Sequence, residues 1–329
     1  MSRVFEALRK SQGENPSASP LAQGQPESAP VEAPVSAAVA VVPPAVAEDA
    51  AYPIPEIPVM HASGIPAVVP ADGRWLNVPA DRVLHPHPTP EQRLVSIAEP
   101  DSAGAEMFRV LSTRLAHMQR KRHLHKLLIT SAEGDEGKSV VTTNLAFSIA
   151  RRSNERVLLI EADLRRPTAS SLLTDSPLRG ITEWSEGKLA LEEALYRVND
   201  MPLWFLSAGR GLEEPMPLLE SDRFAKMLDA VSASFNWVLL DATPLLPMAD
   251  STSLSRLCDG VLVVVREGYT RLKVLNKALG CVEKNKLVGM VLNEASMLKI
   301  GYDRYYGSKN GKGKKEAKAG GDKVTAATA

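Results

Sequence analysis

Short runs of apolar residues recur after residue 125 and alternate with longer stretches in which apolar residues return every three or four positions. The short runs predict buried strands at 127–131, 156–161, 203–206, 236–241, 260–265 and 287–292. The longer stretches predict helices at 138–152, 189–198, 221–234, 251–258 and 270–284. Near-continuous apolar strands alternating with helices indicate an α/β fold, a doubly wound and mostly parallel sheet with helices on both faces. The pattern leaves the strand order open.

One further helix is predicted ahead of these strands, from Ser102 to Arg122. Its apolar positions follow a helical period at Met107, Val110, Leu111, Leu115 and Met118. Ser102 is a candidate N-cap because its hydroxyl can accept a bond from a free N–H group of the first turn.

The first hundred residues differ in composition from the rest of the chain. They hold 17 of its 24 prolines, and 13–99 lacks sustained periodicity, which predicts a disordered, partly extended linker. Residues 1–12 carry a short helical pattern, for which a frayed terminus and a helix that folds on a partner both stay open. We therefore expect one α/β domain at 100–300, followed by a flexible tail at 301–329.

Charge and cysteine content narrow the function classes. The formal net charge is zero, which argues against a surface that coats nucleic acid. The chain has only Cys258 and Cys281, and we expect core thiols rather than a disulfide or a metal site. The sequence has neither an apolar run of about 18 residues nor the apolar core of a signal peptide. We therefore expect a cytoplasmic protein that reaches a membrane through a partner.

A polar, glycine-bearing turn follows the strand at 127–131 and opens the helix at 138–152. Successive backbone N–H groups in such a turn, with the free N–H groups of a helix start, form an anion site. Gly137 lets the backbone approach a phosphate, Lys138 can reach the β- and γ-phosphates, and Ser139 can offer its hydroxyl to Mg²⁺. The candidate nucleotide-binding residues here are Gly134, Asp135, Glu136, Gly137, Lys138, Ser139 and Val140.

Two later strands end in carboxylates. Asp163 follows the strand at 156–161, and Asp241 ends the strand at 236–241. Because parallel α/β sheets present their sites at the carboxyl ends of strands, both carboxylates should converge on a metal ion at Ser139. Lys138, Asp163 and Asp241 are the candidate catalytic residues, and Ser139, Asp163 and Asp241 the candidate metal ligands.

Taken together, these motifs resemble the bacterial tyrosine autokinases of capsular and exopolysaccharide loci, relatives of the ParA/MinD ATPases with a deviant Walker motif. That family's phosphate loop usually reads S-A-x-P-G-E-G-K-S/T, its second motif D-x-D-x-R and its Walker B motif D-x-x-P. The matching residues are Ser131, Ala132, Glu136, Gly137, Lys138, Ser139, Asp163, Arg165, Asp241 and Pro244. The resemblance covers about residues 100–307.

The chain departs from the family pattern at two places near the site. Glu161 stands where the family has the first Asp of D-x-D-x-R, a candidate base for the incoming tyrosine hydroxyl. Glutamate places its charge about one methylene farther out, so a catalytic and a purely structural role both stay open. Gly134-Asp135 replaces the family's Pro-Gly, which adds a negative charge near the phosphates.

The resemblance implies roles for three residues around the site. Arg165 should neutralise phosphate or hold the loop of its motif, with a surface salt bridge as the alternative. Asp250 resembles an acidic position near the family's site. Asn293 ends the strand at 287–292, where the related ATPases place an asparagine against the adenine, although an asparagine there is commonly a turn residue.

In the resembling kinases, a motif E-x-x-R-x-x-R on the helix before the first core strand mediates self-association. This chain has Glu106 and Arg109, but Ser112 occupies the third position. A contact surface and a solvated helix face both stay open for these residues.

The resemblance implies a cytoplasmic, ATP- and Mg²⁺-dependent protein-tyrosine autokinase that regulates exopolysaccharide polymerisation or export. Tail residues Tyr302, Tyr305 and Tyr306 are then the expected autophosphorylation sites, modified in trans by a neighbouring subunit. The expected partners are a transmembrane chain-length-determinant protein, further copies of this chain and a cognate tyrosine phosphatase, but not nucleic acid. Two other functions stay open: a nucleotide-switched ATPase of the ParA/MinD kind, and an inactive ATP-binding regulator of a membrane polysaccharide complex.

Overall fold

The computed structural model describes residues 40–42, 75–152, 155–246 and 248–295. Within them, nine strands form one sheet. The strands are β1 (Ala40–Val42), β2 (Val83–Leu84), β3 (Lys126–Ser131), β4 (Val157–Glu161), β5 (Leu195–Val198), β6 (Leu203–Leu206), β7 (Trp237–Asp241), β8 (Gly260–Arg266) and β9 (Leu287–Asn293).

The strands lie in the order β1-β9-β8-β3-β7-β4-β6-β5-β2. The six from β9 to β6 are parallel, whereas β5 runs antiparallel to β6 and β1 antiparallel to β9. The strands β4 to β7, which follow β3 in sequence, all lie on one side of β3. The next strand, β8, pairs with β3 on its other side. A crevice forms outside the carboxyl ends of the strands at such a reversal.

Helices cover both faces of the sheet. The described helices are α1 (Val95–Ala98), α2 (Ala103–Lys121), α3 (Lys138–Arg152), α4 (Ala169–Leu173), α5 (Ile181–Ser185), α6 (Met216–Leu219), α7 (Asp222–Ser232), α8 (Asp250–Arg256) and α9 (Leu272–Leu279). None of them is both long and apolar enough to cross a lipid bilayer.

The sheet separates two apolar cores, because successive side chains of a strand point to opposite faces. On β3, Leu128 packs in the core shared with α7, α8 and α9, whereas Leu127 and Ile129 pack in the core shared with α2 and α3. All three side chains have no exposed surface. The result is a three-layer α/β domain, which confirms the predicted fold class.

Most predicted elements are confirmed. The six predicted strands are β3, β4, β6, β7, β8 and β9, each shifted by no more than one residue at either end. The helices predicted at 138–152, 221–234 and 251–258 are α3, α7 and α8, and the one predicted at 270–284 is the shorter α9. At the start of α2, the Ser102 hydroxyl accepts a bond from the Ala105 N–H group at 3.2 Å.

The helix predicted at 189–198 is wrong. Residues Leu191–Ala194 form a single 3₁₀ turn, and the chain then extends into β5. In β5, Leu195 pairs with Leu206 and Arg197 with Trp204 of β6. The spacing of Leu191 and Leu195 fits a helix equally well, so the available sheet edge, rather than local preference, decides the conformation.

The predicted linker boundary at residue 99 is also corrected. Trp75 and Leu94 are buried against the domain, with 6% and 1% of their surface exposed, and β2 adds to the sheet edge at β5. Within the same predicted linker, β1 pairs with β9. The predicted helix at 1–12, the rest of the predicted linker and the tail at 301–329 lie outside the described residues.

Candidate functional site

Three parallel strands end side by side at one edge of the sheet. Ile129 of β3 and Glu161 of β4 are both paired with Asp241 of β7. The turn that follows β3 and the loop that follows β4 therefore leave the sheet at neighbouring positions. This is the edge at which the sequence predicts a phosphate site.

The turn after β3 is held together from inside by Glu136. Its carboxylate accepts bonds from the N–H groups of Ala132 at 2.6 Å and Glu133 at 3.0 Å, and from the Thr270 hydroxyl. Burial raises the pKa of Glu136, and these donors oppose that shift. Glu136 is predicted as a nucleotide contact, but its side chain is fully buried within the turn and serves to shape it.

Gly137 and Asn293 meet directly behind this turn. Gly137 has φ of +84°, and a Cβ there would lie 2.2 Å from Asn293 Nδ2. Asn293 Nδ2 donates to the Glu136 carbonyl at 3.1 Å. Its Oδ1 is buried and accepts no hydrogen bond from the described residues. Glycine is therefore required by both backbone conformation and space. Asn293 retains one buried oxygen that accepts no hydrogen bond from the described residues.

Lys138 and Asp163 form an ion pair at the start of α3. Lys138 Nζ lies 2.9 Å from Asp163 Oδ2 and 3.3 Å from Ser139 Oγ. Burial alone would lower the pKa of Lys138, but the carboxylates of Asp241 and Asp163 outweigh it, so the pKa is raised. Lys138 consequently carries a positive charge at neutral pH.

Asp241 lies behind Lys138 and has no exposed surface. Its Oδ1 lies 3.5 Å from the Thr142 hydroxyl, and its Oδ2 has no hydrogen-bond donor within the described ranges. Burial raises the pKa of Asp241, and Lys138 opposes the shift. A buried carboxylate oxygen without a donor is costly unless a cation neutralises it. Asp241 thus fits a metal site.

Glu161 faces away from this group. Its Oε1 accepts bonds from the N–H group of Ser170 at 2.8 Å and from the Ser170 hydroxyl, and its Oε2 accepts from the Ala208 N–H group at 3.1 Å. Its side chain is fully buried. Burial raises the pKa of Glu161, opposed by the bonds from Ser170 and Ala208. The structure therefore gives Glu161 a structural position and does not bring it into the cavity as a base.

A cavity of about 500 Å³ opens in front of the turn. The predicted site residues that line it are Gly134, Asp135, Gly137, Lys138, Ser139, Val140 and Asp163. Sequence reasoning missed other lining residues: Thr168, Ser171, Leu172, Thr243, Leu246 and Met248. Thr168 Oγ1 lies 2.7 Å from Ser139 Oγ. The only sequence signal that could have identified Thr168 and Thr243 as site residues is that each follows the carboxyl end of a predicted strand.

Arg165 holds the loop after β4 to α8. Its guanidinium donates to Asp250 Oδ2 at 2.6 Å and to Oδ1 at 3.2 Å, and to the Glu213 carbonyl at 2.6 Å. The Asp250 side chain is 1% exposed. Bonding to Asp250 raises the pKa of Arg165. Of the roles expected for Arg165, this geometry favours loop support over a free phosphate contact.

Asp135, one of the acidic residues in the turn, lines the cavity. Asp135 is exposed and adopts a left-handed conformation with φ of 59°. Its carbonyl accepts a bond from Arg266 at 3.2 Å. Arg266 also pairs with Glu294, which in turn pairs with Arg93 from the segment before α1. The turn is thus tied through β8 and β9 to the N-terminal part of the domain.

The positions of the predicted self-association motif lie on different faces of α2. Glu106 and Arg109 pair with each other on the surface, 2.6 Å apart. Ser112 is fully buried, and its hydroxyl donates to the Arg109 carbonyl at 2.9 Å and lies 3.5 Å from Ser148 Oγ of α3. A serine fits this space between two helices, where an arginine would need rearrangement.

Residues at this site fit a nucleotide with Mg²⁺. The cavity has the volume of a small-molecule site, and the Gly137 backbone can approach a phosphate closely. Ser139, Asp163 and Asp241 offer only oxygen atoms, the donors that Mg²⁺ prefers. Asn293, a predicted nucleotide contact, does not line the cavity, and its Oδ1 atom is buried behind the turn without a donor among the described residues. Tyr302, Tyr305 and Tyr306, the predicted acceptors, lie outside the described residues.

Comparison with protein families gives one match over this region. The model of the CobQ/CobB/MinD/ParA nucleotide binding domain matches residues 127–299. The matched segment contains the turn before α3, Asp163, Asp241 and Asn293.

Curated proteins and solved structures resemble the same part of the chain. Tyrosine-protein kinase YwqD of Bacillus subtilis is 30% identical over 222 residues, which cover 67% of this chain and 93% of YwqD. The succinoglycan biosynthesis transport protein ExoP of Rhizobium meliloti is 30% identical over 64% of this chain, which spans only 28% of ExoP. The solved kinase domain of Escherichia coli tyrosine kinase ETK is 28% identical with a TM-score of 0.57, covering 62% of this chain and 82% of that one.

Proposed function

This chain belongs to the CobQ/CobB/MinD/ParA family of nucleotide-binding domains and, within it, to the bacterial tyrosine-protein kinases, and from that premise we propose that it is an ATP-dependent protein-tyrosine autokinase. The observation that carries the proposal is the meeting of Lys138, Asp163 and Asp241 beside one cavity. Three charged groups converge there from the start of α3, the loop after β4 and the end of β7, as phosphoryl transfer requires.

The nucleotide is held by the turn and by the start of α3. Backbone N–H groups around Gly137 and the ammonium of Lys138 would contact the phosphates. Asn293, whose Oδ1 atom is buried behind the turn, is the proposed contact to the adenine and would have to become accessible when nucleotide binds. Ser139, Asp163 and Asp241 are the residues that would hold Mg²⁺. Bound Mg²⁺ would offset the charge that develops on the phosphate oxygens. Lys138 supplies the second positive charge, which the surrounding carboxylates maintain.

Tail residues Tyr302, Tyr305 and Tyr306 of a neighbouring copy are the proposed acceptors. The phenolic oxygen forms a bond to the γ-phosphorus as the bond to the bridging oxygen of ADP breaks, and the phenolic proton leaves. Asp163 is the carboxylate we assign to receive that proton, because it lines the cavity and Glu161 does not. To do so it would exchange its pairing with Lys138 or the bond that its Oδ1 accepts from the Arg166 N–H group. The added phosphate, with a charge of about −1.5 to −2, would disfavour close packing of tails and loosen the assembly.

The proposed cellular role is regulation of exopolysaccharide polymerisation or export at the cytoplasmic face of the membrane. The relative ExoP is named a succinoglycan biosynthesis transport protein, and this supports the assignment. A transmembrane chain-length-determinant protein would recruit and activate the kinase, and a cognate tyrosine phosphatase would reverse the modification. Association into a homo-oligomer would bring a tail to a neighbouring cavity.

The test is incubation of the full chain with Mg·ATP, alone and with its membrane partner, followed by mass-spectrometric mapping of phosphotyrosine. We expect modification at one or more of the three tail tyrosines and none in Lys138→Met. The triple change Tyr302→Phe, Tyr305→Phe and Tyr306→Phe should abolish the signal while nucleotide binding is kept. A chain that stays unmodified with its partner present contradicts the kinase assignment.

A nucleotide-switched ATPase is the second candidate, favoured by the occupied carboxylate of Glu161 and by Ser112 in place of an arginine. Such a switch would tolerate the triple tyrosine change and fail with Lys138→Met, with ATP turnover and dimer state as the readouts. An inactive regulator would bind nucleotide with neither turnover nor phosphotyrosine. The same variants therefore separate all three functions.

A further inference from the structure

A cluster of potential metal ligands lies at the opposite end of the sheet from the nucleotide cavity. His123 and His125 immediately precede β3, and Asp259 immediately precedes its neighbour β8. Among the described residues, these three form the one group of three or more histidine, cysteine or carboxylate side chains that could share an ion, with one ligand atom from each within 4.8 Å of the others. The proposed kinase chemistry makes no use of them.

His125 is oriented for ligation. Its Nε2 atom lies 3.0 Å from the Phe235 carbonyl, and a carbonyl can only accept, so Nε2 carries the proton. The lone pair then lies on Nδ1. Metal-binding histidines are commonly fixed in this way, by donating their other N–H group to a carbonyl or carboxylate.

Asp259 is held in place by the backbone. Its Oδ2 accepts bonds from the N–H groups of His125 at 2.8 Å and Lys126 at 2.7 Å. The ammonium of Lys126, a charge that would oppose a bound cation, is paired with Asp229 at 2.6 Å. The carboxylate is therefore fixed beside the histidines, and the charge of Lys126 is offset. The guanidinium of Arg122 also lies close by, with Nη2 3.0 Å from the position of a Cβ on Gly260.

His123 completes the group from the solvent side. Its Nε2 lies 3.8 Å from Asp259 Oδ2, and its ring meets that of His125 edge to face with centroids 6.3 Å apart. The side chain is 83% exposed, so it can turn onto an ion without disturbing the core. Solvent access also leaves coordination positions for water.

We propose that His123, His125 and Asp259 form a binding site for a divalent transition-metal cation of the Zn²⁺ type. Two imidazoles and one carboxylate are a donor set that Zn²⁺, Cu²⁺ and Ni²⁺ accept, whereas Mg²⁺ prefers oxygen alone. A bound ion would join the start of β3 to the start of β8. The site is independent of the nucleotide cavity.

Zn²⁺ alone is the probe. Its affinity is measured by competition between the untagged full chain and a chromophoric zinc chelator. Mg·ATP is present to occupy the nucleotide cavity. We expect one Zn²⁺ per chain, and an affinity lowered about tenfold or more in His123→Ala and in Asp259→Asn. The matched control is His85→Ala/His87→Ala, which removes a second His-x-His pair and should leave the affinity unchanged.

Thermal melting provides the second measurement, because a ligand that binds the folded state raises the melting temperature. Zn²⁺ should raise the melting temperature of the unaltered chain and of the His85/His87 control, but not that of His123→Ala. The His123 side chain is exposed, so its replacement should leave the fold intact. Equal Zn²⁺ affinity in His123→Ala and the unaltered chain, or loss of binding in the control alone, overturns the proposal.

Discussion

Glu161 and Asp241 occupy paired positions on adjacent strands, yet their carboxylates have different surroundings. Glu161 is one methylene longer than the aspartate that the resembling family has there, and it reaches past the cavity to Ser170 and Ala208. Asp241 stays behind Lys138 with one oxygen lacking a donor among the described residues. Because its side chain is longer, Glu161 supports the neighbouring loops, whereas Asp241 keeps an oxygen that could bind a metal ion.

Replacing Glu161 should change how stability depends on pH. Burial raises the pKa of Glu161 above its ordinary value of 4.5. A raised pKa in the folded state gives a contribution to stability that is complete below the unfolded pKa and lost as pH rises through the folded one. We therefore expect the free energy of unfolding of the unaltered chain, relative to Glu161→Gln, to increase as pH falls through the raised pKa of Glu161 towards its ordinary value of 4.5. Urea unfolding at a series of pH values measures this.

Two comparisons make that result specific. Glu136, whose pKa burial also raises, is present in both chains and cancels in the difference. Asp241 is present in both chains too, but its charge interacts with Glu161, so part of the difference belongs to this pair of carboxylates. Glu161→Asp keeps the charge but shortens its reach, so it should lose the bonds to Ser170 and Ala208. If the difference in unfolding free energy between the unaltered chain and Glu161→Gln were the same at every pH, burial would not raise the pKa of Glu161, and the prediction would be wrong.

At the scale of elements, the turn before α3 is shaped by residues that arrive from elsewhere in the chain. Thr270, ahead of α9, contacts Glu136 inside the turn, and Asn293 at the end of β9 packs against Gly137. The phosphate site is therefore held by three parallel strands and is not a local property of the turn. Changes that push Gly137 away from Asn293 should disturb it.

Gly137→Ala should weaken nucleotide binding about tenfold or more. A left-handed conformation costs a residue with a Cβ about 1–2 kcal/mol, and here the Cβ also meets Asn293 at 2.2 Å. Titration with a fluorescent ATP analogue and Mg²⁺ measures the affinity. Gly134→Ala is the matched control, because a Cβ at Gly134 meets no atom within 4 Å. Equal losses from the two changes would show that the contact with Asn293 does not matter.

At the scale of the whole molecule, the folded domain begins well before the residue at which the proline content falls. The segment 75–99 buries Trp75 and Leu94 and adds β2 to the sheet. The Asn144 side chain of α3 accepts from the Ser96 N–H group at 2.9 Å and donates to the Arg93 carbonyl at 3.0 Å. This segment is therefore attached to the same helix that carries Lys138.

Leu94→Ala should lower the free energy of unfolding by about 2–5 kcal/mol, as for other buried leucines. A residue in a solvated linker would change it by about 0.5 kcal/mol or less. Denaturant unfolding followed by tryptophan fluorescence distinguishes these outcomes. Ile97→Ala, at a half-buried position three residues later, should cost less. Near-identical stability of Leu94→Ala and the unaltered chain would place 75–99 outside the domain.

The sequence by itself determined the central strands, the turn with Lys138 and the two strand-end aspartates. Apolar runs long enough to be buried on both faces have few alternatives to parallel strands, and their carboxyl ends share one edge. Local spacing could not decide between helix and strand for β5, because Leu191 and Leu195 fit both.

Only the tertiary structure decided the partners of side chains in the site. Glu136 turned inward, Arg165 bonded to Asp250, and Glu161 reached Ser170 and Ala208 rather than the cavity. These outcomes depend on donors that lie far away in sequence and on a side chain's length relative to them. A proline-rich composition likewise could not show that Leu94 would find an apolar surface to cover, since that surface exists only once the helices have packed.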